Sequence, residues 1–372
     1  MPTVQSREKA ILRDIRGSRI ILPLLLGLVA VGFLVWQRVD WGEMAHISWN
    51  RSVLLGLGAA VCFLVIHHLS YAYRLYSLSE GRFTFRKCIE LIFIWEFSSA
   101  VSPTSVGGSA VAFYMLSRER LPFSRTATIV LYTIVLDGLF FLLTLPLLFA
   151  VFGGTIIRPD LEGFRNLGGW GNYFVFSYVF MFAYTFLFFY GLFLRPVRMQ
   201  DLLKAITALP YVNKWRPAAE NLGKELVLAS GEMRSKPWAW HLRAILATAG
   251  AWSTRFLLLL AVILAFSPGL AGVNLLALYA RLEAMFLITL FSPTPGGSGF
   301  AEVLFGGFLE DYIPSATIAT LTAAVWRLLG YYVYVIAGAI IVPVWLRQHV
   351  LKKRAAVVKN QAPSTDGESA SG

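Results

Sequence analysis

Six stretches of this chain, 20–37, 51–73, 123–152, 172–194, 238–266 and 313–346, are long, apolar and sparsely charged. Each reaches or approaches the roughly 20 residues that a helix needs to cross a bilayer. Hydrocarbon holds no water to satisfy backbone N–H and C=O groups, so such runs must be helices that close their own hydrogen bonds. That constraint predicts an all-α polytopic membrane protein. Composition agrees: 57% of residues are hydrophobic, 15% are charged and mean hydropathy is +0.63, against about 25% charged for a soluble chain. The first run follows a basic stretch and could pose as a secretory signal. It lacks a small-residue cleavage site and ends at Trp36, so it reads as an uncleaved span. Cys62 and Cys88 offer neither a disulfide framework nor a metal site.

The net charge of +12 could point to nucleic acid, but its placement argues for a membrane. Of 33 Lys and Arg residues, 26 fall in five segments: 1–19, 74–87, 118–125, 195–243 and 347–372. Basic loops stay on the cytoplasmic side of a membrane protein. Placing all five there puts both termini in the cytoplasm, in the bacterial cytoplasmic (inner) membrane, with a basic N-terminus at 1–19.

This route yields about six full spans plus two shorter, broken segments. "KCIELIFIWEFSSAVSPTSVGGSAVAFYMLSRER" begins and ends basic, so it reads as a re-entrant hairpin from the cytoplasm; a pair of short crossings is the alternative. "FSPTPGGSGFAE" (291–302) lies between flanks without Lys or Arg and reads as a hairpin from outside. Between the halves, 195–237 forms a cytoplasmic connector with apolar residues at helical spacing: Leu202, Leu203, Ile206 and Leu209, then Leu222, Leu226, Ala229 and Met233. Those stripes fit amphipathic helices on the inner leaflet or a connector packed on the protein. The polar tail, 351–372, is expected to be disordered.

Proline and glycine break helices, so two such breaks inside apolar sequence require a reason. "SPTSVGGSAVAF" (102–113) and "SPTPGGSGFAEV" (292–303) share Ser-Pro-Thr followed by Gly-Gly-Ser. A Leu/Ile-Pro turn and a Thr/Ala-rich helix start follow each, and a buried charge stands 34 residues after each first proline: Asp137 and Arg327. Opposite flank charges make the halves, 51–152 and 238–346, an inverted-topology repeat, a plan in which broken helices meet at a midplane site. Irregular backbone at that depth must be buried or line a wet cavity. The candidate binding residues are therefore Pro103, Gly107, Gly108 and Ser109 in the first break, and Pro293, Pro295, Gly296, Gly297, Ser298 and Gly299 in the second. Arg255, Arg281 and Arg327 join them, because guanidinium forks onto phosphate or carboxylate. The carboxylates Glu96, Asp137, Glu283 and Glu302 would pair with those arginines or carry protons; Asp137–Arg327 is one such structural pairing, and the favoured reading of Arg327 is a hold on a lipid phosphate. His67 and His68 read as packed histidines, and "YFVFSYVFMFAYTFLFFY" as a lipid-facing span.

These residues, above all "SPTPGGSGFAE" and the Arg74-containing "YAYRLYSL", resemble the flippase-like membrane domain of the lysylphosphatidylglycerol synthase transmembrane family over about residues 20–350. The resemblance implies translocation of a lipid between leaflets. Family members that also make the lipid carry a soluble aminoacyl-transferase domain, and only 21 residues follow Leu351, too few for one. The expectation is a transporter without cofactor that moves a phospholipid or lipid-linked substrate with an anionic or phosphate-containing head group. The alternatives are a non-catalytic partner of a lipid-modifying or glycosyl-transferring enzyme, and, less favoured, an integral membrane enzyme acting on head groups.

Overall fold

The computed structural model describes residues 49–102, 105–119, 121–157, 168–209, 211–272, 274–289, 300–309, 311–313 and 315–361, with Trp36, Asp40 and Gly42 before them. The expected first span lies outside these residues apart from Trp36, and the second break lies outside them at 290–299. The described residues form an all-helical bundle.

Among the described residues, five helical stretches are long and apolar enough to cross a bilayer: Arg51–Leu78, Phe123–Ile156, Gly171–Leu194, Trp238–Phe266 and Ala316–His349. They match the five spans expected after the first. Helix α1 (Arg51–Leu78) starts where the Asn50 side chain accepts the Val53 N–H at 3.0 Å, a favourable N-cap arrangement. It ends in a left-handed turn at Glu80 (φ 54°) and Gly81 (φ 70°), whose N–H bonds back to the Tyr76 carbonyl. Only a residue tolerant of positive φ closes a helix this way cheaply.

The limbs of the first break are α2 (Phe85–Val101) and α3 (Ser105–Arg118), both shorter than a bilayer-spanning helix. Then come α4 (Phe123–Phe152) and α5 (Gly168–Phe189). Phe176, Val179, Phe180, Phe182, Phe186 and Leu187 of α5 are exposed, whereas Ser177, Met181 and Thr185, spaced one turn apart, are buried. The aromatic run thus presents one face outward, as expected of a lipid-facing span.

The connector resolves into α6 (Pro196–Ile206) and α7 (Arg216–Arg234), and the two differ. On α7, Leu226, Ala229 and Met233 are buried and pack with α4. On α6, Leu202 and Ile206 are exposed, as is Leu209 just beyond it. The protein covers the α7 stripe, whereas of the α6 stripe it packs Leu203 and leaves Leu202, Ile206 and Leu209 exposed. Arg125 fastens this layer, reaching Glu80 at 3.0 Å and Glu232 at 2.6 Å. Glu80 also pairs with Lys236. Burial would raise the Glu80 pKa, but Lys236 and Arg125 outweigh it and hold the carboxyl below its usual range.

In the second half, α8 (Trp238–Phe266) is followed by the short limbs α9 (Leu275–Thr289) and α10 (Phe300–Phe308). The last span is α11 (Ala316–Arg327), a π-turn at Leu328–Tyr332, and α12 (Val333–Gln361). Helix α12 runs past 351, where the disordered tail was expected to begin, because "LKKRAAVVKNQ" is rich in strong helix formers; residues 362–372 lie outside the described ones.

Helices α1 and α8 form the most extensive interface of the bundle. Lipid gives helices no hydrophobic reason to associate, so small residues that allow close backbone approach decide such contacts. Here Gly56 and Ala60 face Ala261 and Ala265. A Cβ on Gly56 would lie 2.7 Å from the Ala265 Cβ, 3.0 Å from its Cα and 3.3 Å from the Ala261 carbonyl oxygen. Two of those atoms are backbone and cannot rotate away. Gly58, one turn-face removed, has nothing within 4 Å of such a Cβ. Gly56→Leu should therefore lower detergent-solubilised stability by about 1–3 kcal/mol, the usual cost of overpacking, whereas Gly58→Leu should leave the melting temperature near wild type. Equal melting temperatures for the two variants would contradict the seam.

Candidate functional site

One cavity of about 320 Å³ lies among α1, α2, α3, α4, α5, α8 and α9. Its polar groups sit at depth: Asp137 is midway along the 30-residue α4 and Trp252 midway along the 29-residue α8. At 1.5 Å per residue each helix is about 45 Å long, so the cavity falls near the centre of any bilayer that the bundle spans.

Among the described residues, four charges line it: Arg74 from α1, Glu96 from α2, Asp137 from α4 and Arg255 from α8. They form two unlike pairs. Arg74 Nη1 donates to Asp137 Oδ1 at 2.5 Å and to Thr248 Oγ1 at 3.0 Å, and its Nη2 reaches Asp137 Oδ2 at 3.5 Å. The Trp252 indole N–H adds a third donor to Asp137 at 3.0 Å, and the Arg74 guanidinium lies 4.5 Å from the Tyr71 ring centre. This pair joins α1, α4 and α8, with Asp137 still 28% exposed. Arg255 and Glu96 approach only to 3.9 Å, beyond hydrogen-bond reach. The Arg255 guanidinium instead lies against the Trp252 and Phe286 rings, at 5.5 and 5.1 Å. Its side chain is 28% exposed, as is that of Asp137, against 8% for Arg74, so the pairs differ in hydrogen bonding rather than in exposure.

The structure gathers some of the expected site residues and disperses others. Ser109, Glu96, Asp137 and Arg255 meet at the cavity. Gly108 is packed under α2, where a Cβ would strike Ser99, so its missing side chain serves helix contact. Gly107 stands in the first turn of α3. Pro103, Pro293, Pro295, Gly296, Gly297, Ser298 and Gly299 lie outside the described residues. Glu302 is in α10.

The Asp137–Arg327 pairing, one of the two readings of these charges, does not form, because Arg74 occupies Asp137. Arg327 ends α11, buried, with its guanidinium 4.2 Å from the Tyr331 ring centre. Arg281 also stands apart from the cavity lining. It binds Asp311 at 2.5 and 2.6 Å, the Phe308 carbonyl at 3.3 Å and the Thr155 carbonyl at 2.5 and 3.1 Å, holding together the ends of three segments. Glu283 is fully buried against Thr144 of α4. His67 donates through Nδ1 to the Ala251 carbonyl at 2.8 Å, and His68 sits between the Tyr334 hydroxyl and the Ile89 carbonyl. Both histidines are packed, as expected.

Sequence reasoning left Arg74 and Trp252 out of the site. In sequence Arg74 opens the basic segment 74–87, one residue past the expected span 51–73. Helix α1 continues to Leu78, which puts Arg74 inside it.

Removing either member of the inner pair leaves a charge in a poor solvent, typically at a cost of about 3–5 kcal/mol. Arg74 is the more sealed partner, so Asp137→Ala should destabilise the protein more than Arg74→Gln. The exchange Arg74→Asp with Asp137→Arg should recover part of the loss. Combined with Arg327→Gln, Asp137→Ala should be additive, as for residues that share no partner. Thermal melting of the singles and doubles in detergent tests this, and coupling of Asp137 to Arg327 but not to Arg74 would reverse the assignment.

The family model "Lysylphosphatidylglycerol synthase TM region" matches residues 20–338. A "UPF0104 membrane protein" of Archaeoglobus fulgidus is 25% identical over 332 residues, which cover 85% of this chain and 94% of that protein. No solved structure matches. The apolar bundle and the extent of the family match give one conclusion: the chain belongs to the lysylphosphatidylglycerol synthase transmembrane-region family.

Proposed function

We propose that this protein is a transporter, without catalytic activity or cofactor of its own, that moves a phospholipid or lipid-linked molecule between leaflets. The head group crosses through the central cavity while the acyl chains stay in the bilayer. The observation that carries this reading is the cavity itself: two guanidinium–carboxylate pairs inside an apolar bundle, with Arg255, Glu96 and Asp137 all partly exposed. Charges at that depth cost at least ~2.5 kcal/mol each and are typically retained for a substrate path. The matched family region is the transmembrane one, so the word synthase attaches no aminoacyl transfer to this chain.

An inverted-topology repeat fits the packing. Each half has a span, two short limbs and a span, and equivalent elements contact equivalent partners. Helices α1 and α8, the opening spans, pack on each other. The first limb of each half packs on the closing span of the other, α2 with α12 and α9 with α4. In this reading the limbs are re-entrant, the basic connector and termini face the cytoplasm, and the membrane is a bacterial inner membrane.

Ser109 faces the cavity and belongs to the first Gly-Gly-Ser motif. Ser109→Trp should fill the path, leaving a folded protein in the membrane that moves no lipid. Reconstitution into vesicles with a fluorescent phospholipid, followed by quenching of the outer leaflet, measures this. Wild-type translocation by a correctly folded Ser109→Trp variant would put the path elsewhere.

A further inference from the structure

The two ion pairs of the cavity differ in a way that specifies the head group. In the inner pair, Asp137 accepts from Arg74 and Trp252, and Arg74 is shared with Thr248, so that both charges are already satisfied within the protein. The outer pair is incomplete. Arg255 and Glu96 are 3.9 Å apart, and no hydrogen bond joins them to each other or to another side chain among the described residues. Both side chains are partly exposed to the cavity, Glu96 at 18% and Arg255 at 28%. A guanidinium lacking its fork partner takes an oxyanion such as phosphate, and a carboxylate lacking donors takes an ammonium.

Charge balance points the same way. Among the described residues the lining carries two arginines and two acidic residues. A singly anionic head group entering there would gain from Arg255 but bring its charge against Glu96. A head group carrying both signs opposes neither.

Resting on the lipid-transport reading of this cavity, we infer that Arg255 and Glu96 form a recognition pair for a zwitterionic phospholipid head group, with Arg255 holding the phosphate and Glu96 a primary ammonium. An ethanolamine head places these charges at opposite ends of a two-carbon arm, so it can lie across the pair and satisfy each member. A quaternary ammonium lacks the N–H donors that Glu96 accepts, so choline is the poorer fit. The aromatic surfaces of Trp252 and Phe286 beside Arg255 keep its guanidinium in place without using its N–H groups.

The full chain is reconstituted with tail-labelled phosphatidylethanolamine, phosphatidylcholine or phosphatidylglycerol. Lipid binding to the detergent-solubilised protein is measured separately by native mass spectrometry. Phosphatidylethanolamine should bind and cross fastest, by about tenfold over phosphatidylglycerol, the discrimination given by one charge-assisted hydrogen bond. Glu96→Gln should remove that preference, and Arg255→Gln should weaken binding of all three lipids. The wild-type comparison decides even if a variant fails to fold.

Faster movement of phosphatidylglycerol or equal movement of all three overturns the head-group assignment and leaves lipid transport standing. A preference that persists in folded Glu96→Gln also overturns it. Selective, Glu96-dependent binding without translocation by any lipid supports the assignment and overturns transport. Neither binding nor movement overturns both. Soluble glycerophosphoethanolamine should not displace the bound lipid at equal concentration; displacement would overturn a lipid as the ligand.

Discussion

The Arg74–Asp137 pair is the interaction on which the rest of the bundle depends. It ties α1 to α4, and through Thr248 and Trp252 it ties both to α8. Packing alone would let three apolar helices slide, since lipid competes for every methyl group. A guanidinium that must find its carboxylate in low dielectric does not permit sliding. The Gly56–Ala265 contact then lets α1 and α8 close on each other, which brings Tyr71, Arg74, Trp252 and Arg255 around one space. Depth, register and cavity follow from one charged clamp and one line of small residues.

The other buried charges divide by what surrounds them. Arg281 spends its donors on Asp311 and on the carbonyls of Phe308 and Thr155, where chain ends leave acceptors that helices no longer satisfy. His67 and His68 join helices by donating to carbonyls of α8 and α2. These are structural uses of polarity in a medium that tolerates little of it. Arg255 and Glu96 differ because their polar atoms face a space rather than a partner. In a membrane protein that distinction, more than the count of buried charges, separates a working site from a fastening.

Much of this fold was legible from apolar runs alone. Length and hydropathy gave α1, α4, α5, α8 and the α11–α12 span, because nothing but a helix survives in hydrocarbon. The short limbs were legible from Pro103 and the Gly-Gly-Ser motif. Four members of the cavity, Glu96, Ser109, Asp137 and Arg255, stood out as charges or motif residues inside apolar sequence. Their partners did not. Equal offsets from the two prolines made Arg327 look like the mate of Asp137, but linear offset fixes depth, not the azimuth around a helix. Gly108 shows a similar limit: a glycine reads the same in sequence whether a ligand or a neighbouring helix approaches it, and here it is Ser99.

On the proposed reading, a lipid head group occupies the space between the two ion pairs. Photo-crosslinking tests it most directly, with a phospholipid bearing a diazirine on its head group, reconstituted with the full chain, irradiated and mapped by mass spectrometry. Occupancy of the cavity should give adducts on lining residues such as Trp95, Ile134 and Leu287, competed by unlabelled phospholipid. Adducts confined to the exposed belt, at positions such as Leu143 and Leu147 on the outer face of α4, would contradict it.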